Sequence, residues 1–241
     1  MTISGEYISM FLDERLSQYK ETLKEQGYIN FVDLPEGFDH IGFVKCFGDL
    51  VPQYDGELIW SIKAEERFSN VYHSLNNKPL KPHTECYEFQ DVPPKYLALW
   101  CVKAPEDGGG QTTLADGYAF IKSLTTDEVE KLATRVCKFY STPGLQESNL
   151  GSVARHPVYD RDSATEPILR YSFACLDDGG DQFIADIRQQ ILEFFERTQT
   201  PIFYKRNSLL IWDNWRMLHA RTGFEDQTRH LKRVWIAAND Q

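Results

Sequence analysis

From about residue 57 onward the chain breaks into short β-branched and aromatic runs separated by Gly, Pro, Asn and Asp, a rhythm that restricts it to a β sandwich or barrel. The runs are 57–62, 83–89, 95–103, 111–115, 135–141, 167–175, 201–204, 208–213 and 231–237. Two helical stretches interrupt them, Thr126 to Thr134 and Gln182 to Thr198. In the second, Ile184, Ile187, Ile191 and Phe194 recur at helical spacing and form one apolar face. Ahead of the β-rich part, the pattern predicts a helix over residues 8–26, a short strand over 28–32, and a second helix from Asp39 to Leu50 with Asp39 as N-cap. Residues 1–56 thus read as an α/β support layer and 57–241 as a β core with helical insertions. A chain of 241 residues suffices for one such domain.

Composition removes several function classes. Apolar residues make up 41% of the chain and charged residues 26%, as expected of a protein that folds unaided. The formal charge of −10 and a pI near 5.1 argue against nucleic-acid binding, which needs clustered Lys and Arg to neutralise phosphates. No stretch approaches the roughly 20 apolar residues of a membrane-spanning helix. The opening MTISGEYISMFLDERLSQYK has neither a basic nor an apolar leader region, so a cytoplasmic location is expected. Cys46, Cys86, Cys101, Cys137 and Cys175 are odd in number and contain no CxxC pair, which favours reduced thiols over disulfides or a zinc ribbon. The polar span from Thr142 to Thr165 carries Pro143, Gly144, Gly151 and Pro157 and reads as a long loop. With the loop around Asn70 to Pro79, it is the expected cover over an active site.

The chemistry is concentrated in two motifs. In Pro82-His83-Thr84-Glu85, residues i and i+2 of a strand would sit roughly 6.6 Å apart on one side, so that an imidazole and a carboxylate could reach the same ion. HxE by itself is a weak signal. The second motif is Leu209-Leu210-Ile211-Trp212-Asp213-Asn214-Trp215-Arg216-Met217-Leu218-His219-Ala220-Arg221, an apolar strand, an Asp-Asn turn and a return strand ending at another imidazole. Two His and one carboxylate with open positions form the facial triad of oxygen-activating Fe(II), with room for a bidentate 2-oxo acid and O2. The far carboxylate of such an acid needs a charged anchor in the interior. Arg229 and Arg233, evenly spaced, would point to one side of a strand, and Thr112 or Thr113 after the Gly108-Gly109-Gly110 turn could add a hydroxyl. For a substrate, Arg233, Arg170 and Arg155 could meet an anion, and Trp60, Tyr72 and Trp235 could flank a cation.

Taken in order, PHTE, GGGQTTLADGYAF, WDNWRMLHARTGF and TRHLKRVW resemble the taurine dioxygenase superfamily of Fe(II)/2-oxoglutarate oxygenases, and most resemble its γ-butyrobetaine and trimethyllysine hydroxylase branch. The resemblance covers about residues 57–238. It implies a double-stranded β-helix, or jelly-roll, with His83, Glu85 and His219 as metal ligands. It further implies that Thr112 helps to bind 2-oxoglutarate and that Arg229 grips its distal carboxylate. Arg233 is similar to a position used in some relatives for the substrate's anionic group or the near end of the oxo acid. Most of the family has Asp where this chain has Glu85, and some amino-acid oxygenases of the superfamily share the Glu. A carboxylate at this position also argues against halogenation, because related halogenases carry a small residue there.

The expected activity is hydroxylation, desaturation or ring closure of a small polar metabolite, such as an amino-acid derivative or natural-product intermediate, with O2 consumed and succinate and CO2 released. The oligomeric state is left open, a homodimer being one option. Competing readings are a protein-modifying hydroxylase, a non-catalytic binding or sensor module, and a zinc hydrolase using the same ligands, in which Arg229 and Thr112 would lack their partner.

Overall fold

The computed structural model describes residues 5–32 and 34–238, with side-chain surroundings from residue 15 onward. Its elements run α1 (Gly5–Gln26), β1 (Tyr28–Phe31), α2 (His40–Val44), β2 (Leu50–Val51), β3 (Trp60–Lys63), β4 (Leu80–His83), β5 (Tyr96–Lys103) and β6 (Thr112–Asp116). They continue with α3 (Gly117–Ser123), α4 (Thr126–Thr134), β7 (Val136–Tyr140), α5 (Pro143–Glu147), β8 (Val153–Pro157), β9 (Tyr159–Asp160), β10 (Ile168–Leu169) and β11 (Leu176–Asp177). The chain closes with α6 (Gln182–Thr198), β12 (Thr200–Ile202), β13 (Leu209–Asp213), β14 (Met217–Arg221) and β15 (His230–Ile236).

Two antiparallel sheets make the jelly-roll. The major sheet runs β1-β13-β5-β15-β2, with β3 also paired to β15, and the minor sheet runs β12-β6-β14-β4. Consecutive strands change sheets: β5 lies in the major and β6 in the minor, and β13 and β14 divide in the same way. The Asp213-Asn214 turn is therefore a corner between sheets, which is how the return strand carries His219 to the opposite wall. The N-terminal segment does more than support the barrel, since β1 and β2 are strands of the major sheet itself.

Strand alternation sorts the side chains of the major sheet into two cores. Leu97, Leu99 and Cys101 of β5, Leu210 and Trp212 of β13, and Leu231 and Trp235 of β15 share the core between the sheets. Ala98, Trp100, Leu209, Ile211, Val234 and Ile236 face the other way, where Leu23 of α1 and Val44 of α2 cover them. Burial on both faces explains why these strands read as continuous apolar runs. The outer face of the minor sheet, with Ala115, Leu218 and Ala220, is covered by Phe120 and Ile121 of α3 and by Ile184, Ile187, Ile191 and Phe195 of α6.

Several expectations change. The second helix ends at Val44 and tightens into a 3-10 turn over Lys45–Phe47, ending at Gly48, so Leu50 belongs to a strand; Asp39 does cap it, accepting from the Gly42 amide at 2.9 Å. Helix α3 follows the 111–115 run, over residues where no element was read. The 83–89 run is not a strand, because β4 stops at His83. Only Ile168–Leu169 of the 167–175 run is an extended strand, although Ser172 forms an isolated bridge to His83. The Thr142 to Thr165 span is not a structureless loop either: it holds α5, β8 paired to β7, and β9 paired to β10.

The sheet corner is fastened by a buried ion pair. Lys95 Nζ lies 2.8 Å from Asp213 Oδ2, with side chains 5% and 8% exposed, and 4.5 Å from the centroid of the Trp215 ring. Burial pushes the Asp213 carboxyl upward and the Lys95 charge opposes that rise. Replacing Lys95 by Met leaves the carboxylate buried without its partner, so Lys95→Met is expected to cost about 3 kcal/mol of stability in urea unfolding. Adding Asp213→Asn should restore more than half of that loss. An unchanged urea midpoint in the single variant would remove the pair from any structural role.

Candidate metal centre

Three strands and one turn assemble the centre. β14 lies between β6 and β4, and its register sets His219 directly opposite His83. Met217, His219 and Arg221 point between the sheets while Leu218 and Ala220 point out, as strand alternation requires. The ring centroids of His83 and His219 are 4.1 Å apart. Glu85 joins them from the turn beyond β4, not from a strand position two residues on. Cys86 follows in left-handed backbone (φ 58°), turning the chain out of the sheet. Asn214 at the sheet corner holds this turn: its Oδ1 accepts from the Glu85 amide at 2.7 Å, and its Nδ2 donates to the Glu85 carbonyl at 3.1 Å and to the Pro94 carbonyl at 3.0 Å.

One ligand atom from each of His83, Glu85 and His219 lies within 4.8 Å of the others. The protonation states suit a cation. His83 Nδ1 donates to the Lys81 carbonyl at 2.8 Å, which fixes the tautomer that leaves Nε2 its lone pair. Burial, reinforced by His219, pushes the His83 pKa down to about 3, keeping the ring neutral. Burial alone would raise Glu85, but Arg233 and the His219 ring outweigh it and hold the carboxyl at about 2. Arg233 Nη1 is 2.5 Å from Glu85 Oε1, while Oε2 faces His219 Nε2 at 3.7 Å. One carboxylate oxygen is thus committed to the arginine and the other to the space between the imidazoles.

Two adjoining cavities flank the triad and share Ser74, Leu80, His83, Glu85 and Arg233. The first, about 460 Å³, is lined by Thr112, Trp212, His219, Arg221, Arg229 and Leu231 among others. Arg229 immediately precedes β15 and shares the cavity side with Leu231 and Arg233, as a spacing of two residues requires. It is 1% exposed, and no acidic side chain among the described residues pairs with it. Its Nη2 donates to the Gly110 carbonyl at 2.7 Å, whereas Nε and Nη1 are buried without a partner. Gly110 is required twice, for its positive φ of 64° and because a Cβ there would meet Arg229 Nε at 2.5 Å. Thr112 Oγ1 lies 2.6 Å from the Tyr204 hydroxyl beneath the same arginine.

The second cavity, about 510 Å³, is lined by Tyr54, Trp60, Tyr72, His73, Glu88, Thr142, Leu145 and Ser172 as well as the shared residues. Trp60 and Tyr72, named above as residues that could flank a cation, line it. Trp235 does not; it is fully buried in the core behind Arg233, whose guanidinium carbon lies 4.9 Å from the centroid of its ring. Arg170 is also diverted, buried 3.5 Å from Asp160 and donating to the Phe89 and Asp91 carbonyls, and Arg155 is exposed on β8. The Asn70 to Pro79 segment is tied down by Arg221, which donates to the Ser74 and Lys78 carbonyls at 2.6 Å and to Asn76 Oδ1 at 2.7 Å.

Sequence reasoning missed Tyr54, His73 and Glu88. None stands in a motif, and only the last gave any signal, as an acid between Tyr87 and Phe89. Glu88 is 1% exposed, and burial with the nearby Glu85 charge lifts its carboxyl to about 7.

The family model described as taurine catabolism dioxygenase TauD, TfdA family matches residues 3–235. The human γ-butyrobetaine dioxygenase is 22% identical over 237 residues, covering 91% of this chain and 59% of that protein, so the chain spans about three-fifths of that relative. Among solved structures, an asparagine oxygenase in complex with Fe(II), 3-hydroxyasparagine and succinate is similar with a TM-score of 0.74 at 19% identity, covering 93% of this chain and 79% of the other. The non-heme iron oxygenase OrfP in complex with Fe, succinate and (3S)-hydroxy-L-Arg gives a TM-score of 0.69 at 18% identity, with 97% and 80% covered. PvcB from Pseudomonas aeruginosa gives 0.67 at 22% identity, with 92% and 80% covered. These likenesses establish a shared fold.

His73 supplies a pH test of the cavity wall. Its ring stacks on Phe68 at 4.2 Å, its Nδ1 accepts from the Leu75 amide at 3.0 Å, and Gly144 of α5 packs on it so closely that a Cβ would stand 2.2 Å from the ring. Burial first, then the Arg233, Arg67 and Arg221 charges, lower its pKa from 6.5 to about 4. Between those values the unfolded chain binds the extra proton, so this contribution to stability is complete above pH 6.5 and is lost as pH falls toward 4. The thermal midpoint of metal-free protein should fall more steeply over that interval in the wild type than in His73→Asn. Parallel curves would exclude the effect.

Proposed function

This chain belongs to the TauD/TfdA dioxygenase family, and on that premise we propose that it is an Fe(II)- and 2-oxoglutarate-dependent oxygenase of a small polar metabolite, with His83, Glu85 and His219 holding the iron. The observation that carries this reading is Arg229. A buried guanidinium with two unpartnered nitrogens and no acidic neighbour is costly unless an anion completes it. It stands in a cavity that also contains the triad. A dicarboxylate reaching from the metal to Arg229 satisfies both ends, and a zinc hydrolase has no use for this feature.

The donor set fits the metal. Two imidazoles and an ionised carboxylate on one side of a site are the ligands that Fe(II) oxygenases use, with positions left for the cosubstrates. When bound, iron and 2-oxoglutarate supply O2-driven oxidation of an unactivated C–H bond, with succinate and CO2 as coproducts. The chain's own residues do the rest. Arg229 receives the distal carboxylate through a charge-assisted pair, and the Thr112 hydroxyl, shared with Tyr204, lies beside it. Arg233 neutralises the Glu85 oxygen turned away from the imidazoles and so directs the other toward the metal. Arg221 and the 70–79 segment close one side of the cavities and limit the entry of water.

Cavities lined by apolar and aromatic side chains with a few convergent charged groups suit a small molecule. Two of the similar solved structures carry hydroxylated asparagine or arginine. Amino acids and their derivatives are accordingly the first compounds to screen, by succinate release with Fe(II), 2-oxoglutarate and O2. His219→Ala should abolish substrate-stimulated succinate formation. Arg229→Ala is expected to raise the 2-oxoglutarate KM about 100-fold, the value of a lost charge-assisted anchor near 3 kcal/mol. Arg229→Lys should rescue little of it, because a point charge cannot replace the planar fork. An unaltered KM in Arg229→Ala would reassign the anchor, and wild-type turnover in His219→Ala would overturn the metal site.

A further inference from the structure

The second cavity, which Arg229 does not line, contains a set of polar atoms that the protein leaves unfinished. Glu88 Oε1 accepts from the Tyr54 hydroxyl at 3.1 Å and from the Ser141 hydroxyl at 3.2 Å, but Oε2 is buried and has no partner. No Lys, Arg or His among the described residues forms an ion pair with Glu88. Thr142 Oγ1, Trp60 Nε1 and Arg233 Nη2 are buried and unpartnered too, and all four residues line this one cavity. Native interiors pair nearly all such atoms, so four orphans around one empty space mark the position of a polar guest.

Their chemistry specifies that guest. Arg233 and Trp60 can only donate hydrogen bonds. Glu88, whose carboxyl burial raises to about 7, becomes acceptor-only once a cation beside it holds it ionised, and the Thr142 hydroxyl can do either. Donors of one kind and acceptors of the other, set around a space of about 510 Å³, match a molecule that carries a carboxylate and an N–H-bearing cation together. The geometry points to Glu88, assisted by Thr142, as the residue that recognises the primary ammonium group of an amino-acid substrate, whose carboxylate meets Arg233 and Trp60. This inference rests on the oxygenase reading above and adds to it the charge pattern of the substrate. A quaternary ammonium lacks the N–H that Oε2 requires, so the Tyr54 and Trp60 rings do not serve here as a cage for a methylated cation.

The test uses L-norvaline, pentanoate (the same skeleton without the amine) and N,N,N-trimethyl-norvaline. Each is titrated calorimetrically into the full chain loaded anaerobically with Fe(II) and 2-oxoglutarate. Wild-type protein should bind norvaline at least tenfold more tightly than either analogue. In Glu88→Gln, which keeps shape and removes charge, the ratio to pentanoate should fall toward one, while the thermal midpoint and 2-oxoglutarate affinity stay at wild-type values. Should Glu88→Gln fold poorly, Thr142→Val provides the second reading, with the amine preference reduced several-fold and the carboxylate untouched. Equal binding of norvaline and pentanoate by the wild type, equal binding of the trimethylated analogue, or a preference that survives Glu88→Gln would each overturn the assignment. A preference for norvaline in protein that binds neither iron nor 2-oxoglutarate would preserve the Glu88 assignment and sink the oxygenase reading instead, so the two failures are distinguishable.

Discussion

The candidate centre hangs on one side-chain amide. Asn214 uses both ends of its carboxamide to hold the backbone N–H and C=O of Glu85, residues 129 positions apart in the chain. Glu85 stands on a turn where no sheet ladder is available to satisfy those groups, and unpaired they would each carry the cost of a buried polar atom. The same corner passes from β13 to β14 and so also sets the wall that bears His219. Carboxylate and second imidazole are thereby referenced to a single point. Lys95, Asp213 and the Trp215 indole, which donates to the Pro93 carbonyl at 2.9 Å, brace that point from behind.

An acidic chain keeps four arginines in its interior, and their differing circumstances separate their roles. Arg170 is paired with Asp160 and two carbonyls and knits loop to strand. Arg221 spends its guanidinium on the Ser74 and Lys78 carbonyls and Asn76; burial first and the Arg229 charge next push its pKa down to about 9. Arg233 is paired with Glu85 and with Gln53, whose Oε1 accepts from its Nε at 2.9 Å. Arg229 alone among these four has a single backbone partner. Arg221 and Arg229 both lack an acidic partner among the described residues, but Arg221 leaves one nitrogen unsatisfied and Arg229 two, so Arg229 is where ligand charge is most wanted. Arg229 lines only the first cavity and Arg233 lines both, so under the proposed function the first takes the cosubstrate and the second the substrate.

Much of this was legible in the one-dimensional pattern. Alternation and turn residues located most of the major-sheet strands, and helical periodicity gave Thr126 to Thr134 and Gln182 to Thr198 their observed bounds. Both signals are local, depending only on which residues a period of 2 or 3.6 brings to one face. The pairing of His83 with Glu85 was expected for a reason the structure replaces: two strand residues on one face were anticipated, and a strand end followed by a left-handed turn is found. The segment from Thr142 to Thr165 misled in the same way. Its Pro and Gly residues mark the joints between short ordered pieces, and Gly144 is small because α5 packs on His73.

The sequence by itself determined which residue types were available for metal and dicarboxylate chemistry, and in what order, because composition and short-range spacing belong to the chain alone. Tertiary structure decided what those residues meet. That Arg233 would spend one nitrogen on Glu85, 148 residues earlier, that Trp235 would vanish into the core beside it, and that Glu88 would be enclosed without a counter-charge are all consequences of the register between sheets. Register is set by the summed packing of many strands and not by any one of them, so no local stretch of sequence carries it.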